Sequence, residues 1–220
     1  MSENKKYLQD LAYDYLHEMI KTGKFEYNKI YSETKIAQNI GISRTPVKDA
    51  LRRLSQNKII DILPNKGFRI HEITAKDIIN TYQARISIEG FCAISLRKYR
   101  SEPRMAKYLE SLKNSVESMY EAIKNGASDT EILEYDIKFH ETLVKSLENE
   151  ELYQLYESYH HRLYFIAVKS FEEGGRPAAA YFEHQKILED LTDPTIDDFS
   201  VYMDIIRHMD ASKEIALRLL

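Results

Sequence analysis

From Tyr7 to Ile20 the apolar residues Leu8, Leu11, Ala12, Tyr15, Leu16, Met19 and Ile20 recur at intervals of three and four, which predicts an amphipathic helix ending near Gly23. A second helix is expected over residues 32–40, with Ser32 as N-cap, Ile36, Ala37 and Ile40 facing inward and Gly41 ending it. Ser43 can cap a third helix whose inner face is Val47, Ala50, Leu51 and Leu54. Pro46 is tolerated there because a first-turn residue has no intrahelical acceptor for the missing N–H. The period then changes. Residues Ile59 to Leu63 alternate or run apolar, Pro64-Asn65-Lys66-Gly67 reads as a turn, and Phe68-Arg69-Ile70 reads as a second short strand. A hairpin alone is marginal, so it should pack on the helices through Ile60, Ile62, Phe68 or Ile70.

From Thr74 to the end the pattern is helical, with helices expected near residues 75–98, 103–124, 129–148, 150–171, 178–191 and 196–218. Thr74 with Asp77, Ser128 with Glu131 and Thr195 with Asp198 carry capping-box spacing, and Gly126, Gly174-Gly175 and Pro194 mark connections. The expected fold is mainly α: a winged helix-turn-helix of three helices plus a β-hairpin over residues 1–72, then an all-helical antiparallel bundle of about six helices over residues 73–220.

With 43% hydrophobic and 30% charged residues and only 7 Gly and 5 Pro, the composition excludes a collagen-like or wholly disordered chain. No apolar stretch approaches the roughly 18 residues of a membrane helix, and MSENKKYLQD lacks the apolar core of a signal peptide, so a cytoplasmic protein without a membrane partner is expected. The single cysteine, Cys92, sits among Phe91, Ala93 and Ile94 and reads as a buried thiol. Charge is divided unevenly along the chain. Residues 1–70 carry 13 Lys and Arg against 8 Asp and Glu, whereas residues 71–220 carry 18 against 27. A basic front end is joined to an acidic body.

On the third helix Arg44, Lys48 and Arg52 recur every four residues, on the side away from the apolar face. Such a set alone is an ordinary solvated surface. Preceded by a helix at a tight turn and followed by a hairpin, it is placed to enter a DNA major groove, where Arg suits bidentate contact with guanine. Base reading is assigned to Arg44 and Lys48, and backbone positioning to Ser43, Thr45, Arg52 and Lys66; in the wing, Asn65, Gly67 and Arg69 would touch flanking backbone or minor groove. One such motif has a small footprint, so a homodimer reading two half-sites of double-stranded operator DNA is expected.

In the second half, Asp136 and His140 lie one helical turn apart beside Leu133, Leu143 and Leu147. His184 falls in the stripe Tyr181, Ile187, Leu188 and Leu191, and His208 with Val201, Ile205 and Met209. All four polar groups are therefore directed inward. Buried groups of this kind must be hydrogen-bonded, paired or metal-bound, and one carboxylate with three imidazoles can serve either a polar network or a mixed N/O site for Zn²⁺, Ni²⁺ or Mn²⁺. Arg85 and Glu89 have ion-pair spacing.

The segment YSETKIAQNIGISRTPVKDALRRLSQNKIIDILPNKGFRI resembles the DNA-binding domain of the GntR family of bacterial transcriptional regulators. Gly41-Ile42-Ser43-Arg44-Thr45-Pro46-Val47-Lys48-Asp49-Ala50-Leu51 is similar to the family signature, with Lys48 where Arg is usual and Asp49 where Glu is usual. Tyr31 stands where a smaller aliphatic residue or Pro is common and Thr34 where Arg is common, so the resemblance implies one phosphate or base contact fewer. Arg85 with Glu89, Asp136-Ile137-Lys138-Phe139-His140, Asn149 with Leu152, Glu183-His184 and His208-Met209 resemble the helical FCD domain of the FadR-type subfamily, in its metal-binding branch. The resemblance implies Arg44 and Lys48 as groove readers, Lys66-Gly67 at the wing tip, and Asp136, His140, His184 and His208 as ligands of a divalent metal. It further implies a repressor, not an enzyme, controlled by a small carboxylate metabolite, with Arg85, Glu89 and Arg162 as candidate effector-binding residues and His160 or His161 as a further contributor. The alternatives are a metal-free regulator for a larger apolar or acyl-thioester effector and, from the residue types alone, a helical metalloenzyme.

Overall fold

The computed structural model describes the backbone of residues 2–220 and the side chains of all of these except 2–5, 21, 160 and 161. The chain forms two compact units, Met1–Ile73 and Thr74–Leu220.

The first unit contains α1 (Ser2–Lys21), α2 (Glu33–Ile40), α3 (Arg44–Gln56), β1 (Ile60–Leu63) and β2 (Gly67–Ile70). Helix α1 begins before the apolar pattern does, at Ser2. Its residues Ala12 and Leu16 are buried, as are Val47, Ala50, Leu51 and Leu54 of α3. Gly41 turns the chain between α2 and α3 in the left-handed conformation, and its N–H bonds to the carbonyls of Ala37 and Gln38. Ser32 and Ser43 occupy the N-cap positions, but neither hydroxyl makes a cap bond; Ser43 lies exposed at the start of α3. The strands pair antiparallel with Ile60 opposite Ile70 and Ile62 opposite Phe68. Ile60, Phe68 and Ile70 anchor the hairpin in the core, whereas Ile62 is exposed.

A third segment completes this small sheet. Tyr31 exchanges both backbone hydrogen bonds with Phe68, at 2.7 and 3.0 Å, so the wing is tied to the chain just before α2. That tie explains Gly67. Its φ is +124°, and a Cβ there would strike the Tyr31 carbonyl.

The second unit is helical: α4 (Ala75–Tyr99), α5 (Ala106–Lys124) after a short 3₁₀ turn, α6 (Asp129–Lys145), α7 (Glu150–Phe171), α8 (Arg176–Thr192) and α9 (Asp198–Arg218). The Thr74–Asp77 capping box is present in both directions, and the Ser128 hydroxyl accepts from the Glu131 N–H. The expected box at Thr195 is not formed. Asp197 caps α9 by accepting from Ser200, while the Thr195 hydroxyl and N–H turn back to Asp193, because an aspartate one residue before the helix competes better for the free N–H groups than a threonine three residues away. Leu96, Leu112, Met119, Phe139, Leu143, Ile187, Val201, Ile205 and Met209 fill the core, with Cys92 among them, its thiol pushed up to about 12 by burial. No described helix is long and apolar enough to cross a membrane.

Arg97, only 4% exposed, binds the loop joining α8 and α9. Its Nη1 donates to the carbonyls of Asp190 and Asp193, each at 2.6 Å, its Nη2 donates to the Ile196 carbonyl, and its Nε lies 3.2 Å from Asp198. A cation here satisfies carbonyls that the end of α8 leaves without intrahelical donors. Arg97→Ala should therefore cost about 3–5 kcal/mol, read as a lower urea midpoint at unchanged slope; a loss under about 1 kcal/mol would show that water replaces the guanidinium freely.

Candidate functional site

The first unit presents a cationic face because the other side of α3 is held. Asp49 accepts from Gln9 at 2.6 Å, and Arg53 donates to Asp10 at 2.9 Å while lying over the Tyr13 ring. These ties and the buried Val47, Ala50, Leu51 and Leu54 fix the helix about its axis. Ser43, Arg44, Thr45, Lys48 and Arg52 are left exposed. Together with Asn65, Lys66 and Gly67 of the wing, Arg44, Lys48 and Arg52 line a cleft of about 530 Å³. Lys66 is exposed at the tip, whereas Arg69 is half-buried and donates to Asp61 at 3.1 Å. The cleft thus gathers most of the expected set.

One participant was not foreseen. Glu33, in the first turn of α2, accepts a hydrogen bond from Arg44 and lies 3.8 Å from the Lys48 ammonium. An acid eleven residues before Arg44 gives no periodic signal across a turn, so sequence pattern alone does not join them.

In the second unit, α6 supplies Asp136 and His140, α8 supplies His184 and α9 supplies His208. All four are buried, between 1% and 6% exposed, and one ligand atom from each lies within 4.8 Å of the others. His140 Nε2 is 3.0 Å from His208 Nε2 and 3.2 Å from His184 Nε2; Asp136 oxygens lie 3.5 Å from His184 Nε2 and 3.8 Å from His140 Nε2. Donors about 2.1 Å from one ion stand about 3.0–3.4 Å apart, so this set suits a small divalent cation. Phe139 stacks on His184 with centroids 4.3 Å apart.

Burial first, then the neighbouring His140 and Arg176, holds His184 well below the ordinary imidazole range, and burial with His184 and His140 does the same for His208. Burial raises the Asp136 carboxyl, against the pull of His140, Arg85 and Arg176. Neutral imidazoles beside a carboxylate are the ligand forms that a divalent metal takes.

Around this cluster, Arg85 donates to Glu89 at 2.7 Å, and the second Glu89 oxygen lies 2.6 Å from His140 Nδ1. Burial alone would raise Glu89, but Arg85 and His140 outweigh it and hold the carboxyl low. Arg176 lies outside the set expected from sequence, and Glu183, named there only as part of the Glu183-His184 piece, takes a place at the site. Arg176, 3% exposed, donates to Glu183 at 2.9 Å and to Ser212 at 2.8 Å, and Glu183 lies 2.7 Å from His208 Nδ1. Their seven-residue separation, two helical turns, was a signal available in the sequence. Arg162 lies over the Tyr159 ring, its Nε without a hydrogen-bond partner, and it has no described hydrogen bond to the four-residue cluster. The side chains of His160 and His161 lie outside the described residues.

Residues 8–70 match the gntR family of bacterial regulatory proteins, and residues 80–197 match the FCD domain. The HTH-type transcriptional regulator YdhC of Bacillus subtilis is 31% identical over 185 residues, covering 84% of this chain and 80% of its own. The gluconate operon transcriptional repressor of the same organism is 31% identical over 148 residues, covering 67% of this chain and 58% of its own. Among solved structures, a GntR transcriptional regulator from Rhodococcus sp. RHA1 has the same fold, with a TM-score of 0.72 at 17% identity over 96% of this chain and 97% of the other. Two family matches in series, on a winged unit with a cationic cleft and a helical unit with a buried Asp/His cluster, establish that the chain belongs to the GntR family of transcriptional regulators, with an FCD domain as its second part.

Proposed function

We propose that the protein is a homodimeric repressor whose operator affinity is set by a small organic carboxylate bound near a divalent metal in the helical unit. The observation that carries the metal half of this reading is the convergence of four buried donor atoms from three helices within 4.8 Å. Support for repression comes from the gluconate operon transcriptional repressor of Bacillus subtilis. The metalloenzyme alternative falls with the family.

Asp136, His140, His184 and His208 would hold Zn²⁺, Ni²⁺ or Mn²⁺, which supplies positive charge and open coordination for an effector carboxylate. Arg85 and Arg162 are assigned to the remainder of the acid; the Nε of Arg162, buried without a partner, supports its inclusion. On DNA, Arg44 and Lys48 read bases, while Ser43, Thr45, Arg52, Lys66 and the wing residues Gly67 and Arg69 set position on the backbone. The acid controls transcription only through unequal affinity for DNA-competent and DNA-incompetent arrangements, and release from DNA is the direction proposed.

Operator fragments selected from random duplex DNA test the reading half. Arg44→Ala should cost about 1–3 kcal/mol on the selected sequence and much less on unrelated DNA. Lys66→Ala should weaken both alike and lower the salt slope by about one. Equal losses on both DNAs for Arg44→Ala would remove its base-reading role.

Metal content and stability test the other half. Elemental analysis should find a divalent metal, and Zn²⁺ at about 100 times its Kd should stabilise the chelated protein by about 2.7 kcal/mol, seen as a higher Tm. Absence of metal with full stability after chelation would favour the larger apolar effector.

The metal-free protein should also lose stability as pH falls from 7.5 to 5.5. His184 and His208 stay neutral in the fold while the unfolded chain takes up protons below about 6.5, so their contribution is present above that pH and lost below it. Asp136 acts in the opposite sense, with its contribution full only below 3.8 and lost as pH rises. A Tm unchanged across this range in the Asp136→Asn variant, where the opposing carboxyl is removed, would show that the imidazoles do not resist protonation in the fold.

A further inference from the structure

Two carboxylates outside the four-residue cluster make the same contact from different helices. Glu89 on α4 lies 2.6 Å from Nδ1 of His140, and Glu183 on α8 lies 2.7 Å from Nδ1 of His208. Each is gripped by an arginine, Arg85 at 2.7 Å for Glu89 and Arg176 at 2.9 Å for Glu183. In both cases the histidine turns Nδ1 outward to the carboxylate and Nε2 inward, and the two Nε2 atoms meet 3.0 Å apart.

An ionised carboxylate can only accept, so Nδ1 carries the proton in each of these short contacts; Arg176 Nη2, a donor 3.4 Å from His208 Nδ1, is the longer neighbour, and the 2.7 Å contact to Glu183 sets the tautomer. A neutral imidazole has one N–H, which leaves Nε2 with a bare lone pair. Two such lone pairs facing one another at 3.0 Å repel unless a cation sits between them. The outer carboxylates therefore prepare the inner nitrogens to bind something positive.

We infer that Glu89 and Glu183 are positioning residues of the metal site: each fixes the ring orientation and ligating tautomer of one histidine, and Arg85 and Arg176 hold those carboxylates in place. This rests on the metal reading above and reassigns Glu89, whose two oxygens are both engaged and whose side chain is fully buried, from effector contact to histidine orientation. The repetition argues against a chance ion pair. The Arg85–Glu89 pair lies within one helix, the Arg176–Glu183 pair two turns apart on another, yet both end on Nδ1 of a histidine in the cluster.

The test uses the full-length protein and Zn²⁺ as probe. In chelated, ¹⁵N-histidine-labelled protein at pH 7.5, NMR should show Nδ1 protonated in both His140 and His208, with Glu89→Gln disturbing His140 alone and Glu183→Gln disturbing His208 alone. Each variant should bind Zn²⁺ about 10–100-fold more weakly by chelator competition, with helical circular dichroism retained. An unprotonated Nδ1 in either parent histidine, or Zn²⁺ affinities within twofold of the parent for the folded variants, would overturn the inference. If Glu89→Gln does not fold, Glu183→Gln, at a carboxylate 28% exposed, decides the affinity result. Failure of the parent to bind Zn²⁺ would defeat the metal reading, and the parent tautomers would still decide the orientation by Glu89 and Glu183.

Discussion

Desolvation of charge at the centre of the helical unit is the constraint on which the rest of that unit depends. Arg85, Glu89, Asp136 and Arg176 are all buried, with three imidazoles among them. Ionised groups in such a place persist only when partnered, and the partners come from four different helices. The network thus constrains which helices lie side by side: α4 must face α6 for Glu89 to reach His140, and α8 must face α9 for Glu183 to reach His208. Apolar packing fills the space between them, but it is far less particular about registry.

The winged unit solves a different problem, that of displaying cations without burying them. Its third helix is clamped from behind by Gln9, Asp10 and the apolar face, and its hairpin is clamped by Tyr31. The backbone then sets the general direction of the cationic side chains, and Glu33 is the partner of Arg44 and Lys48. Gly67 shows how tight the second clamp is, since the close passage of the Tyr31 backbone leaves no room for even a methyl group.

Much of this was legible in the sequence because the periodicities are local. The apolar face of α3, the change to strand period at Ile59 and the inward stripes holding His140, His184 and His208 each follow from residues within two or three turns. Arg85 with Glu89 was readable as a pair for the same reason. What was not readable joins distant segments: Glu89 with His140 across 51 residues, Glu183 with His208 across 25, and the Tyr31 bridge to Phe68. No spacing rule reaches across a loop. The Thr195 cap failed on a closer competition, in which Asp197 stood one residue from the helix and Asp193 took the threonine instead.

Glu33 changes how the cationic cleft meets a polyanion. With its carboxylate already against Arg44 and Lys48, a duplex meeting this cleft in the way proposed would compete with a resident acid for those side chains. Engagement of that kind would exchange one anion for another, and a weakly complementary stretch of DNA would have little with which to win that exchange.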